Sequence, residues 1–251
     1  QSDVFLTNFL PKVRQKLKFD LEHIRAANPN IIYARGSALG EKGPQRDVGG
    51  FDSTCFWSRS GIAHSITPAE LEGPLSQGIP ALGDSIGGMF IAGGISAALF
   101  HRERTGEALE LDVSLLSTAW WASGALISEV METGTVLRNR MPTSGGAARN
   151  PFTGNYRTSD GGTINLCVLS PEGLIRDTFE HAGVPEAADD PRFKDTLSLI
   201  ENSGAASDIL VKAFAKHPFA YWVDRLKTMK GQWAPVQSFK DLLDDEQTIA
   251  N

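Results

Sequence analysis

The chain has 251 residues, with 24 Lys and Arg against 30 Asp and Glu, a formal charge of −6. A chain of this length supports one or two domains with a real core, and 41% apolar with 22% charged residues is a globular composition. The acidic balance argues against a nucleic-acid or anionic-membrane binder, since either needs a basic face.

Residues 1–9 read as the middle of a strand and loop. Together with an end at 244–251 that has no terminating element, they suggest a piece of a longer protein cut at both ends. Apolar i, i+3, i+4 spacing predicts short helices over 11–17 and 20–28. Asn-Ile-Ile-Tyr-Ala-Arg at 30–35 is a strand. Residues 36–50 form a long glycine-rich loop, 51–62 a helix carrying Phe51, Phe56 and Trp57, and 68–80 another loop. Asp84 then opens a helix to about Arg104. Residues 79–100 are weakly charged, but Asp84, Pro80 and the glycines make them a core helix with its lead-in, not a membrane span. A short strand over 108–114 and a buried helix over 115–132 follow, with Trp120 and Trp121 in the core. Residues 131–150 have no clear period and read as a linker. Asp160-Gly161 between 156–158 and 163–169 signals a hairpin. Helical segments follow near 172–182, 191–202, 205–216 and 218–229, with a short strand beginning at Pro235-Val236. The expected division is a large-domain segment 1–130, a linker 131–152, a small α+β domain 153–238 and the start of a return linker 239–251.

Metal and redox chemistry have little to stand on. Cys55 and Cys167 are the only cysteines and form no CxxC, and the five histidines are scattered. Cys55 reads as a small buried hydrophobe, and Arg102, Glu103 and Arg104 as a solvated helix end. No signal peptide is read, and the expected location is cytoplasmic.

The informative stretch is 81–88, Ala-Leu-Gly-Asp-Ser-Ile-Gly-Gly. A glycine costs about 1 kcal/mol in a helix relative to alanine, so Gly87, Gly88, Gly93 and Gly94 ask for a reason. Either a neighbouring backbone comes very close, or a ligand must reach the Asp84 carboxylate. Spacing leaves two readings of Asp84 open. It is the N-cap of a tightly packed helix, or it is a nucleophile whose pKa the positive helix end lowers, able to attack an acyl group and hold it as an anhydride.

Leu82-Gly83-Asp84-Ser85, then 101–106 (His-Arg-Glu-Arg-Thr-Gly) and 111–115 (Leu-Asp-Val-Ser-Leu), resembles the family III CoA-transferases. That family includes formyl-CoA and carnitine CoA-transferases and α-methylacyl-CoA racemase. Further matches are Asp3-Val4-Phe5 with Asn8-Phe9-Leu10-Pro11, Asn28-Pro29, Ile32-Tyr33, Gly43-Pro44, Gly50-Phe51-Asp52, Tyr156-Arg157-Thr158 and Asp160-Gly161, all in the expected order.

The resemblance implies that Asp84 forms the covalent acyl and CoA adducts. It implies that Asn8 and Phe9 contact CoA, that Lys16 meets its nucleotide part with Leu17 packed nearby, and that Ser37 and Ala38 occupy a CoA-contacting loop. The implied fold is α/β: part of a split Rossmann-like large domain plus a small α+β domain, in chains that interlock as a homodimer. The missing first Rossmann strands would leave an open sheet edge beside residues 30–35. No cofactor is held permanently; a CoA thioester is substrate, and the partners are an acyl-CoA, a carboxylic acid and a second copy, not nucleic acid or membrane. By their own pattern, residues 56–59 (Phe-Trp-Ser-Arg) are a core helix with one solvated Arg. They also resemble the transferase branch acting on bulky, aromatic or 2-hydroxy acyl groups, which puts Phe51 and Trp57 in an acyl pocket. Gly145-Gly146 is a short counterpart of a glycine run that closes over the intermediate, and equally an ordinary linker. Many members have Gly where this chain has Lys12. The racemases carry a His at the position of Phe51, and moving a proton between two faces of one carbon needs a base on each side. Phenylalanine carries no proton, which favours the transferase over the 2-methylacyl-CoA racemase; a non-catalytic CoA-binding protein on the same scaffold is the other alternative.

Overall fold

A computed structural model describes residues 2–136, 138–141, 143–147 and 149–251. They form two compact units that divide between Met141 and Pro142. The fold is mixed α/β, with one parallel and one antiparallel sheet.

The first unit is built on the parallel sheet. β1 (Val4–Thr7), β2 (Ile32–Ser37) and β3 (Glu110–Ser114) lie in that order. Val4 faces Ile32, and Arg35 faces Asp112. Parallel neighbours need long crossovers. The first carries α1 (Pro11–Leu17), with Pro11 at its start, and α2 (Leu21–Ala27), capped by Asp20, whose carboxylate accepts from His23 N–H. The second carries a π-helical turn (Ser53–Ser58), α3 (Ile62–Ile66) and the long α4 (Leu82–Thr105). β2 is therefore the central strand, with Ile32, Tyr33 and Ala34 fully buried. This corrects the expectation of an open edge beside residues 30–35: β1 and β3 flank that strand and are themselves the edges.

Two expected helices are divided. Residues 51–62 give the π-helical turn and α3 instead of one helix, because Gly61 takes φ +96° between them. The 115–132 helix breaks at Ser123 into α5 (Leu115–Ala122) and α6 (Gly124–Thr133). Nor is that segment core: Trp120 and Trp121 are 55% and 75% exposed. Ser114 begins α5 with a reciprocal capping box with Ser117. The end of α4 also differs from the expected solvated terminus. Arg102 donates to Asp3 Oδ1 at 2.9 Å and to Asn30 O at 2.8 Å, tying α4 to the start of the sheet. α4 is the one described helix long and apolar enough to cross a membrane; it packs one side along β2, β3 and α5 of its own unit, but most of it is exposed, which corrects the expectation of a core helix.

The second unit holds β4 (Gly145–Ala147), β5 (Asn150–Arg157), β6 (Thr163–Cys167) and β7 (Trp233–Pro235), paired antiparallel in that order. β4 and the start of β5 thus fall within residues 131–152, the stretch that reads as linker from sequence. The β5–β6 hairpin turns at Gly161, φ +89°. Asp160 braces it, accepting from the Thr158 hydroxyl at 2.6 Å and from Phe219 N–H at 3.0 Å. Helices α7 (Ile175–His181), α8 (Thr196–Glu201), α9 (Ser203–Phe214) and α10 (Phe219–Arg225) cover this unit's aromatic core, and α11 (Glu246–Ile249) lies near its end. Phe179 is fully buried, with its ring centroid 5.2 Å from Phe152 and 5.5 Å from Phe193. Phe179→Ala is therefore expected to destabilise this unit by about 3–5 kcal/mol, read as a lower urea midpoint with an unchanged m-value.

Candidate active site

Parallel α/β sheets bind ligands in the crevice outside the carboxyl ends of their strands. The first unit has a cavity of about 570 Å³ at that place. The chain just after β1 (Asn8–Pro11) lines it with the ends of β2 (Gly36–Ala38) and β3 (Val113, Ser114), the 46–51 loop and the first turns of α4.

Asp84, Gly87, Gly88 and Ile91 are the wall that α4 contributes. The helix begins two residues before Asp84, at Leu82, and its N-cap is Ala81 in the left-handed conformation, φ +56°. Asp84 is thus in the first turn and caps nothing with its side chain, which removes the N-cap reading. Its carboxylate is free of that structural duty, exposed, and on the cavity wall. Non-glycine residues at positive φ are strained, and such strain is common at functional sites.

The glycines answer both questions asked of them. A Cβ on Gly94 would stand 2.6 Å from Leu111 Cδ1 of β3, so that glycine lets helix and sheet meet. Gly88 has nothing within 4 Å of a Cβ, and it lines the cavity. Close packing explains Gly94 and the open cavity wall Gly87 and Gly88; Gly93 is exposed and neither explanation reaches it.

The Asp84 pKa is raised, not lowered as the helix end alone would suggest. Partial burial is the larger cause and the neighbouring Asp52 carboxylate the second. If the ionised form is what reacts, activity falls away at a higher pH than for an ordinary aspartate.

Of the residues singled out in the sequence, Asn8, Phe9, Ser37, Ala38, Phe51 and Asp84 line this one cavity. Phe9 N–H donates to Thr7 Oγ1 at 3.2 Å, which turns the chain as it leaves β1. Ser37 is tied to Asp112 across the sheet. Lys16 and Leu17 lie on α1 and are not part of the lining. Trp57 is buried in the π-helical turn, its indole N–H donating to Leu75 O at 2.9 Å, so it packs the core and does not line the cavity. Gly145 and Gly146 belong to the second unit, where they are strand residues paired with Asn155 and Gly154. The sequence reading missed Glu41 and Arg46, both on the wall. Arg14 holds Glu41 in place at 2.8 Å; a charged residue in a glycine-rich loop has no pattern to single it out. Among the described residues, no His, Cys, Asp and Glu side chains group as metal ligands.

A crevice at the carboxyl ends of parallel strands, with an exposed, uncapped carboxylate on its wall, has the place and volume of a ligand site in an α/β fold. The chain belongs to CoA-transferase family III, which it matches over residues 1–251. It is 29% identical over 260 residues to cinnamoyl-CoA:phenyllactate CoA-transferase of Clostridium sporogenes, covering 100% of this chain and 60% of that one. α-Methylacyl-CoA racemase of Homo sapiens is 32% identical over 174 residues, 68% of this chain and 44% of that one. The crystal structure of Rv3272 from M. tuberculosis superposes with a TM-score of 0.83 at 24% identity, covering 100% of this chain and 65% of that one. The chain spans about three fifths of the length of the curated transferases it matches.

Proposed function

We propose that the complete protein is an acyl-CoA:carboxylate CoA-transferase and that Asp84 is its nucleophile. The observation that carries this reading is the uncapped Asp84 carboxylate on the wall of a cavity that Asn8, Phe9, Ser37 and Ala38 also line. Asp84 attacks the donor thioester carbonyl; the C–S bond breaks, leaving a mixed anhydride and a CoA thiolate. The thiolate attacks the aspartyl carbonyl and expels the donor acid, leaving an aspartyl-CoA thioester. The acceptor carboxylate attacks that thioester and releases the thiolate again. The thiolate then takes the acceptor acyl group and frees Asp84. Each step exchanges one acyl bond for another, so no ATP is consumed. Asn8, Phe9, Ser37 and Ala38 would hold the CoA chain, and Phe51 would face the acyl group.

The racemase reading requires a second base, and Phe51 supplies none. A 2-methylacyl-CoA incubated with the full-length protein in deuterated water is expected to keep its α-proton, followed by mass spectrometry, while CoA passes from a donor acyl-CoA to an acceptor acid. Rapid α-exchange that disappears in Asp84→Asn would reverse the assignment.

A further inference from the structure

Asp52 lies one residue beyond the cavity lining, and only 6% of it is exposed. A buried carboxylate is costly unless donors satisfy it. Gly83 N–H donates to its Oδ1 at 3.1 Å, and Gln77 Nε2 donates to its Oδ2 at 2.7 Å. Gln77 Nε2 also donates to Ile79 O at 2.9 Å. Asp52 therefore joins the start of the π-helical turn to one distant segment at two points, the loop before α4 and the first turn of α4. Ala81 has no side-chain group to cap that turn, and Asp52 supplies the acceptor from elsewhere in the chain.

The fit excludes side chains at both glycines of the two motifs. A Cβ on Gly83 would stand 2.3 Å from Asp52 Oδ1 and 2.2 Å from Phe56 Cγ; one on Gly50 would stand 2.2 Å from Cys55 Sγ. Gly83 is thus packed directly onto Asp52 and Phe56, and Gly50 onto Cys55 within its own turn, with one carboxylate buried beneath the first turn of α4 and the other on the cavity wall.

Ser, Thr or Asn would cap the helix as well as Asp. What they lack is the charge and the second carboxylate oxygen, which accepts from Gln77 Nε2. The donors to Asp52 are neutral amides, so its charge is not matched by a cation among these contacts. The other charged groups on the cavity wall are Glu41, paired with Arg14, and Arg46, whose side chain is 63% exposed beside Asp47.

We propose that Asp52 is a positioning residue for the transfer chemistry: from beneath the first turn of α4 it fixes the direction of Asp84 and holds an uncompensated negative charge behind it. The inference rests on Asp84 being the nucleophile. It agrees with the upward shift at Asp84, to which Asp52 contributes. A more basic carboxylate, once ionised, is the better nucleophile.

The test is the pH dependence of kcat/KM for full-length wild type, Asp52→Asn and Asp52→Ser, with hydroxylamine capture on the wild type located by mass spectrometry. Both variants keep an acceptor for Gly83 N–H, remove the charge and lose the acceptor for Gln77 Nε2; Gln77→Ala, which removes that donor and leaves the charge, is measured beside them and is expected to leave the acidic limb in place. Activity needs ionised Asp84 and is lost as pH falls through its pKa; removing the Asp52 charge lowers that pKa. The acidic limb is therefore expected to move to lower pH while the plateau falls roughly tenfold, the loss of one strong interaction in the transition state. Capture on Asp84 with an unmoved limb in both variants would overturn the role of Asp52 and leave the nucleophile standing. No capture on Asp84 in the wild type would overturn both. If Asp52→Asn does not fold by circular dichroism, Asp52→Ser carries the comparison. Unfolding of both would make Asp52 a residue of stability alone, which also overturns the proposal.

Discussion

Asp84→Asn in the full-length protein is expected to abolish CoA transfer, with kcat falling on the order of 10⁴-fold or more, the scale seen when a covalent nucleophile is removed. The substitution keeps the volume and planarity of the side chain. It also leaves the helix start intact, because Asp84 makes no capping bond. A structural role therefore predicts little change in activity, and a nucleophilic role predicts nearly complete loss. Hydroxylamine added during turnover should mark the wild type at Asp84 and the variant nowhere. Near-normal turnover in Asp84→Asn, with the circular dichroism unchanged, would remove Asp84 from the chemistry and with it the covalent mechanism.

The parts of the site that sequence exposed were those with a pattern. Gly83-Asp84 stands out because a helix rarely spends so many glycines, and Asn8 and Phe9 only through the resemblance of Asn8-Phe9-Leu10-Pro11 to the family's CoA-contacting segment. Strands were legible, since 30–35 and 108–114 have the composition of strands, but their order was not: the strand expected beside an open edge is the central one. The helix breaks were not. Residues 51–62 look helical in composition, and only the positive φ at Gly61 divides them. Trp57 looks like a pocket residue by analogy, yet its indole is spent on Leu75 O in the interior. The direction of the Asp84 shift was misjudged for a similar reason. The helix end is visible in sequence, but Asp52, 32 residues earlier, comes close only through the fold, where Gly83 N–H meets its carboxylate. Trp120 and Trp121 were misplaced because an apolar helix reads the same whether its face meets this unit or something else.

That last misreading leads to the assembly. Residues 1–251 expressed alone are expected to self-associate, and the full-length protein to be a homodimer without a folded monomer at accessible dilution. Along α4, Met89, Gly93, Ala97 and Phe100 share one exposed face, and Met89 and Phe100 are 74% and 67% exposed. Trp121 extends the patch through an edge contact with Phe90, ring centroids 6.0 Å apart. The second unit, by contrast, fully buries Trp222, Tyr156, Phe152, Phe179, Phe193 and Phe214 within itself. An apolar patch of this kind on a single chain marks a contact surface, and about two fifths of the length of the curated relatives lies outside the part this chain matches. Trp121→Glu in the full-length protein should weaken the dimer about 10²-fold or more, the effect of losing a buried aromatic anchor, read as a lower, protein-concentration-dependent unfolding midpoint. A full-length monomer that is destabilised by Trp121→Glu would instead place the remainder of the same chain on this face. A fragment of residues 1–251 that is monodisperse, monomeric and cooperatively unfolding would show that the α4 face needs no cover at all.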